Sequence, residues 1–152
     1  MKKTLIIILI VTLVILLSVV GLILYRSTKT NSSQKTTVEI NGFRFLTKIA
    51  DTDSARQLGL SGMPSMPNGE AMLFLFPDQK IRSFWMKDMN FALDIIFIRD
   101  HEIVDIITLQ KPSNGKIPGY TSKSSADKVL EINAGLTQKL NIKIGDSVKI
   151  SD

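Results

Sequence analysis

The longest uninterrupted apolar stretch of the chain lies at its N-terminus. Residues 5–24 carry no charge, and about 20 helical residues are enough to cross the hydrocarbon core of a bilayer. A secretory signal peptide also places lysines before an apolar run, as Lys2 and Lys3 do here, but its apolar region spans only about 7 to 15 residues. The pattern therefore predicts an uncleaved transmembrane helix, with residues 1–26 as a membrane anchor.

The composition changes directly after this anchor. Residues 27–36 are small and polar, which is typical of a linker because such residues cannot build a packed core. Beyond them, apolar residues occupy every second position on either side of Asn41-Gly42. Asn-Gly accepts the positive φ angles of a two-residue β-turn. A β-hairpin is therefore predicted to open a globular domain that covers residues 37–152.

The rest of the domain alternates short apolar runs with turn residues, and Thr52, Asp53 and Asn133 are suitable helix caps. Residues 112–127 are rich in Gly, Pro, Ser and Lys and are predicted to form a long loop. The expected fold class is α+β, predominantly antiparallel β, with a compact barrel-like sheet and two short helices, preceded by one transmembrane helix. The helices are predicted at 53–60 and 134–140, and the later strands at 71–76, 81–86, 92–98, 103–108, 129–132 and 147–150.

The net charge of +5 comes from the N-terminal flank. Five of the 19 basic residues precede residue 37, which leaves 14 basic residues against 14 acidic residues in the domain. A neutral domain gives no basic footprint for DNA or RNA, so no nucleic acid partner is expected. The flanking charges slightly favour a cytoplasmic N-terminus and a domain outside the cytoplasm. The chain has no cysteine, which excludes a lipid-modified cysteine anchor.

Six sequence blocks stand out together and in this order. They are ARQLGLSG at 55–62, AMLFLF at 71–76, FWMK at 84–87, LDIIFI at 93–98, VLE at 129–131 and IGD at 144–146. Taken together, they resemble the prokaryotic domain of unknown function 192 family. The resemblance covers nearly all of residues 38–150 and implies a compact β-rich domain, often placed behind a signal or anchor segment. It implies no activity.

The one tryptophan of the chain lies in a predicted strand, where alternate side chains point to opposite faces. Phe84 and Met86 then share one face, while Trp85 and Lys87 share the other. If the first face is core, Trp85 lies on the surface, where its ring can stack on a sugar or a base. The alternative is that Trp85 covers a second core layer beneath a loop, because large aromatic side chains are usually buried.

Carboxylates on or near predicted strands are the next candidates, namely Asp88, Asp94 and Glu131, together with Arg56 on the first predicted helix. Asp94 interrupts an apolar run, so a charge buried there needs a partner such as Arg56 or Lys87. It is interpreted either as a ligand-binding or acid–base group, or as half of a structural ion pair on a half-buried strand.

Residues that hold metals are scarce. Five of the six methionines lie between Met63 and Met89, and thioethers bind Cu(I). Methionine more often fills gaps in a core, which is the role expected here because no cysteine assists. His101 is the one histidine, so neither a multi-histidine zinc site nor a Ser-His-Asp triad is expected. The sequence predicts no metal site and no cofactor.

Two functions of different classes follow from these features. The first is a non-catalytic, extracytoplasmic binding domain, anchored through residues 5–24, that recognises an envelope glycan, a small solute or a protein partner. The second is a cell-envelope hydrolase in which Asp94 pairs with Glu131 or Asp88, assisted by Tyr120 or Ser122; glycosidase carboxylates lie about 5 to 10 Å apart. The candidate binding residues are Arg56, Trp85, Lys87, Asp94, Tyr120 and Glu131.

Overall fold

The computed structural model describes residues 36–151, together with Ile15, Leu16 and Ser18, which are helical. Apart from these residues, the predicted anchor and linker at 1–36 lie outside the described part of the chain. Within the part that is described, no helix is both long enough and apolar enough to span a bilayer.

Residues 36–151 form nine strands and two short helices. The helices are α1 (Asp53–Leu58) and α2 (Leu136–Lys139). The strands are β1 (Thr37–Ile40), β2 (Phe43–Ala50), β3 (Glu70–Lys80), β4 (Ser83–Trp85), β5 (Leu93–Arg99), β6 (Glu102–Leu109), β7 (Gly119–Thr121), β8 (Ala126–Asn133) and β9 (Val148–Ser151).

The predicted opening hairpin is confirmed. Strands β1 and β2 pair antiparallel with Ile40 opposite Phe43. Asn41 and Gly42 have φ angles of 51° and 78°, the positive values that a tight hairpin turn requires at both central residues.

Seven strands form one sheet in the order β6-β5-β8-β3-β2-β1-β9, and β4 pairs with β7 in a second, two-stranded sheet. All pairs are antiparallel except β2 with β3, which is parallel because α1 and the loop after it carry the chain back across the sheet. The ends of the large sheet meet where Ile103 donates to the Asp146 carbonyl at 3.0 Å and Val148 donates to the His101 carbonyl at 2.8 Å. The expected mostly β, barrel-like architecture with few short helices is confirmed as a half-barrel.

Proline did not end β3 where the sequence predicted. The strand continues through Pro77 to Lys80, because the register with β8 shifts between Leu75 and Lys80. A residue that lacks an N–H group is tolerated in such an irregular stretch.

Three further predictions differ from the structure. The strand predicted at 81–86 is confirmed only at 83–85, as β4. Part of the loop predicted at 112–127 forms its partner strand, β7. Asn133 does not cap α2, which has Gly135 at its N-cap. Instead, the Asn133 side-chain amide donates to the Met66 carbonyl at 2.6 Å and to the Asn68 side chain at 2.9 Å.

Both faces of the large sheet are covered, which explains why residues 93–98 of β5 are all buried. The first face packs Val38, Phe45, Ile96 and Leu130 against α2 and β9. The second face carries a core in which Phe74, Phe97 and Val129 pack together with buried methionines. The turn after α1, the small β4–β7 sheet and the loop after β4 contribute residues to this second core, and they build the candidate site there.

Candidate functional site

A cleft of about 270 Å³ opens on the second face, between α1 with its following turn and β4. Its walls are rich in aromatic side chains, as is typical of sites for small ligands. We call it the α1–β4 cleft; its lining consists of residues 56–61, residues 83–85, Phe74, Phe76, Met89 and Glu131.

Glu131 is the buried acid of this cleft. It lies on β8, directly opposite Met72 of β3 and Ile95 of β5, and it is only 5% exposed. Among the described residues, none is hydrogen-bonded to its carboxyl group or forms an ion pair with it. No fully buried side-chain oxygen or nitrogen of these residues lacks a hydrogen-bond partner, so the Glu131 oxygens are open to the cleft that the residue lines. Burial among apolar neighbours raises the pKa of Glu131 to about 8, because desolvation disfavours the charged form. At neutral pH the carboxyl is therefore mostly protonated.

Glycine allows the turn after α1 to lie close to the cleft floor. Gly59 has φ 51° and ψ −133°, a conformation that side chains disfavour. A Cβ atom there would lie 3.4 Å from the Phe74 ring. The turn is tied to the loop after β4, since Gly62 donates to the Asp88 carbonyl at 2.9 Å and Ser61 Oγ donates to the Lys87 carbonyl at 3.0 Å.

Strand β4 forms the opposite wall and is held by β7. Phe84 lies opposite Tyr120, and its ring meets Phe74 edge to face at a centroid distance of 5.0 Å. Gly119 allows close pairing, because a Cβ atom there would lie 3.2 Å from the Phe84 carbonyl oxygen. The aromatic wall is thus fixed from behind by packing.

Trp85 stands at the rim of the cleft, and 63% of its surface is exposed. The interpretation in which Trp85 covers a core layer was therefore wrong. Lys87 and Asp88 do not line the cleft with Glu131 but line a neighbouring groove of about 330 Å³. Both spaces are lined by Gln57, Leu58, Ser61 and Trp85, so Trp85 borders the cleft and the groove alike.

Arg56 lines the cleft, but its guanidinium is already engaged. One terminal nitrogen donates to the carbonyls of Asp51 and Leu75, both at 2.6 Å, and the other pairs with Asp53 at 2.5 Å. Its charge also lies 5.2 Å from the centre of the Phe76 ring. Arg56 therefore fixes α1 against β3 and has few donors left for a ligand.

Asp94 belongs to the other face of the sheet. It lies opposite Ile132, whereas Glu131 lies opposite Ile95, and neighbouring residues of a strand point to opposite faces. Asp94 accepts hydrogen bonds from Thr108 Oγ1 at 2.6 Å, from Thr137 Oγ1 at 2.7 Å and from the Thr137 amide at 2.9 Å. The expected ion pair with Arg56 or Lys87 was wrong, and a catalytic pair of Asp94 with Glu131 is excluded because the sheet lies between them.

Tyr120 and Ser122 are also occupied by structural contacts. The Tyr120 hydroxyl donates to Asp105 at 2.9 Å, and the amide of Lys123 donates to the same carboxylate oxygen at 2.8 Å. Burial, together with this carboxylate, raises the pKa of Tyr120. Ser122 Oγ accepts from the Arg82 amide and donates to the Ser124 carbonyl. The two side chains hold the β7 segment in place through these hydrogen bonds. Neither residue lines the cleft.

The clustered methionines pack into the second core. Met66, Met86 and Met89 are buried there, and Met63 and Met72 pack against it while partly exposed. This is the gap-filling role expected from their flexible side chains. Within the described residues, no group of three or more His, Asp or Glu side chains is placed to hold a metal ion.

The structure brings Arg56, Trp85 and Glu131 together and places Lys87 beside them, while Asp94 and Tyr120 serve elsewhere. Sequence reasoning missed Gln57 and Ser83 as polar positions on the cleft wall, and Met89 as part of its lining. The available signals were Gly59 and Gly119, which allow the turn after α1 and strand β7 to approach the cleft walls closely.

A family model described as DUF192, Uncharacterized ACR, matches residues 36–150. Among solved structures, the chain is similar to a protein of unknown function from Novosphingobium aromaticivorans DSM 12444. The two are 30% identical over 75% of this chain and 82% of that chain, with a TM-score of 0.67.

A second similar structure is a proposed transcription regulator from Sinorhizobium meliloti 1021. It is 27% identical over 76% of this chain and 91% of that chain, with a TM-score of 0.67. Among curated proteins, none matches the chain.

Proposed function

The chain belongs to the DUF192 family, and we propose that its domain is a ligand-binding module whose site is the α1–β4 cleft. The observation that carries this proposal is Glu131, which is only 5% exposed, lines the cleft and has no hydrogen-bond or ion-pair partner among the described residues. Because no fully buried polar side-chain atom of these residues lacks a partner, the carboxyl oxygens are open to the cleft. A ligand there can supply the hydrogen bond or counter-charge that the protein does not.

The dimensions of the cleft select a small ligand. A volume of about 270 Å³ lies just below the usual range for sites that enclose drug-sized molecules, roughly 300 to 1,000 Å³. Of the partners considered from the sequence, a small solute or a single inserted side chain fits better than a glycan polymer. The exposed face of Trp85 adds a stacking surface at the entrance.

The proposal includes the location of the domain. We propose that residues 5–24 anchor the chain in a membrane, because this segment is uncharged and long enough to span one. The domain would then bind its ligand outside the cytoplasm. This placement depends on the N-terminal sequence and not on the cleft.

Nucleic acid is not part of the proposal, although the similar Sinorhizobium protein is described as a proposed transcription regulator. From residue 37 onward this chain carries equal numbers of basic and acidic residues. Nucleic acid binding depends largely on lysines and arginines that neutralise phosphates, and a balanced domain offers no excess of them.

A hydrolase is the weaker alternative. Its support is the raised pKa of Glu131, since a carboxyl that titrates near neutral pH suits general acid–base catalysis. Glycosidase chemistry, however, needs a second carboxylate on the other side of the substrate. Among the described lining residues of the cleft, Glu131 is the one carboxylate, and Asp88 lines the neighbouring groove instead.

A ligand screen with site variants tests the proposal. The full chain in detergent micelles is titrated with amines, amino acids, monosaccharides, carboxylic acids and short peptides, and both Trp85 emission and the melting temperature are followed. We expect at least one compound to change both, since a ligand that binds only the folded state stabilises it. The stabilisation should fall in Glu131→Gln and Trp85→Ala and persist in Glu102→Gln, a matched control at an exposed acid.

Two results would contradict the proposal. In one, no compound of any class changes Trp85 emission or the melting temperature. In the other, a stabilising compound acts equally on the wild type, Glu131→Gln and Trp85→Ala, which would place its site outside the cleft.

A further inference from the structure

The ligand that the cleft accepts is constrained by the one acid and the aromatic rings that line it. Phe74, Phe84 and Trp85 contribute ring surfaces, and Glu131 lies buried in the second-face core between Met72 and Ile95. Aromatic faces carry partial negative charge and attract cations, more strongly where water is excluded. The aromatic rings and the ionised carboxyl group therefore both favour a positively charged ligand.

Anionic ligands are disfavoured because the nearby arginines are already paired with carboxylates of the protein. Arg56 is the cation in the lining, and its terminal nitrogens already serve two carbonyls and Asp53. Arg82 lies 3.9 Å from the centre of the Phe76 ring and pairs with Asp78. Each guanidinium therefore already has a carboxylate partner, and neither adds an uncompensated positive charge to the cleft.

Among the described charged groups on the second face of the sheet, Glu131 is the one acid that lines the cleft and can neutralise a bound cation. Strand β5 presents only apolar residues to it, Ile95 being directly opposite. Lys48 on β2 is exposed, and Glu70 on β3 is half-buried. The remaining charges near the cleft are Arg56 and Asp53 on α1, with Lys87 and Asp88 in the neighbouring groove.

We propose that the α1–β4 cleft binds a small organic ammonium cation, a primary or methylated amine, with the aromatic rings around its charge and the Glu131 carboxylate as its counter-ion. This inference rests on the proposed function and names the chemical class of its ligand. The cleft volume of about 270 Å³ accommodates one ammonium head group. The cation can be a free metabolite or the side chain of a lysine in a peptide.

Binding of such a cation is coupled to loss of a proton. Glu131 has a pKa of about 8 without ligand, so it must ionise when the cation enters at neutral pH. Affinity should therefore rise about tenfold for each pH unit between pH 6 and 7 and level off above pH 8. A ligand that accepted a hydrogen bond from the protonated acid would show the opposite trend, losing affinity as pH rises through 8.

The test uses the full chain in micelles and three probes: choline, its uncharged isostere 3,3-dimethylbutan-1-ol, and N-acetyl-trimethyllysine methylamide. Trp85 emission reports binding across pH 6 to 9. We expect the cations to bind with the rising pH profile and the isostere to bind far more weakly. Glu131→Gln should weaken cation binding about 30-fold or more, the usual effect of removing one member of a buried charge pair, and should abolish the pH profile. Glu102→Gln should change neither.

The outcomes separate the two proposals. Preference for choline supports a free metabolite, and preference for the trimethyllysine compound supports a peptide side chain; either supports the cation site. Equal binding of choline and its isostere, or affinity that falls with pH, overturns the cation site while leaving the cleft as a ligand site. If neither these probes nor the broader ligand classes perturb Trp85, both proposals fail.

Discussion

Asp94 and Glu131 are both buried carboxylates, on adjacent strands of one sheet, but their surroundings differ. Asp94 accepts three hydrogen bonds, from Thr108 and Thr137, on the first face. Glu131 accepts none from the described residues and lines a cleft on the second face. Burial alone therefore does not identify a functional acid. The carboxylate that is hydrogen-bonded within the fold holds α2 in place, and the carboxyl group that is open to the cleft marks the candidate site.

The largest expected effect concerns the satisfied acid. Asp94→Ala leaves the hydroxyls of Thr108 and Thr137 and one amide at the start of α2 without their acceptor. Loss of such a buried network should lower the free energy of unfolding by about 4 kcal/mol. Urea unfolding of the full chain in micelles, followed by near-ultraviolet circular dichroism, measures this. A loss below 1 kcal/mol would show that these bonds do not stabilise the fold.

The unsatisfied acid should make stability depend on pH. The folded-state pKa of Glu131, about 8, lies above its ordinary value of 4.5. The folded state therefore holds a proton that the unfolded state has lost between these values, and stability falls as pH rises through this window. Relative to Glu131→Gln, the wild type should lose about 2 to 3 kcal/mol between pH 5.5 and 7.5. Parallel pH profiles for the two proteins would show that folding does not raise the pKa of Glu131.

A smaller effect is expected at a candidate residue that the structure places outside the cleft lining. Tyr120→Phe removes the hydroxyl that donates to Asp105 and should lower stability by about 1 to 2 kcal/mol. Because this hydroxyl faces Asp105, affinity for any cleft ligand should stay within twofold of the wild type. If Tyr120→Phe had normal stability but no longer bound the ligand, Tyr120 would be part of the binding site.

The smallest effect on stability is expected at the aromatic residue that is most exposed in the described part of the chain. Trp85→Ala removes a side chain that is 63% exposed, so the free energy of unfolding should change by about 0.5 kcal/mol or less. Ligand-induced stabilisation should nevertheless fall, which separates binding from folding. A loss of stability comparable to that of a core substitution would mean that Trp85 serves mainly as packing.

Much of the fold was predictable because its signals are local. The turn at Asn41-Gly42 and the apolar run at 93–98 each specify their structure within a few residues. The parallel pairing of β2 with β3 and the β4–β7 sheet were not predictable, since they join segments far apart in sequence. Pro77 led to a wrong prediction of the end of β3. The register shift that tolerates this proline depends on the pairing of β3 with β8, which the local sequence does not reveal.

The candidate site was predictable in part for the same reason. Glu131 and Trp85 stood out by residue type, but which face each occupies follows from strand register. Asp94 attracted more attention in the sequence than Glu131, because it interrupts a longer apolar run. Its partners, Thr108 and Thr137, are neutral residues from β6 and α2, and no charge pattern indicates them.

A carbon-13 NMR titration of the Glu131 side-chain carboxyl measures whether this acid defines the cleft, with Glu131→Gln used to assign the signal. We expect a midpoint near pH 8, which shifts when a ligand occupies the α1–β4 cleft. A midpoint near the ordinary value of 4.5, unaffected by any ligand that perturbs Trp85, would contradict this expectation. Glu131 would then be a solvated or internally paired acid, and the cleft would lose the group that defines it.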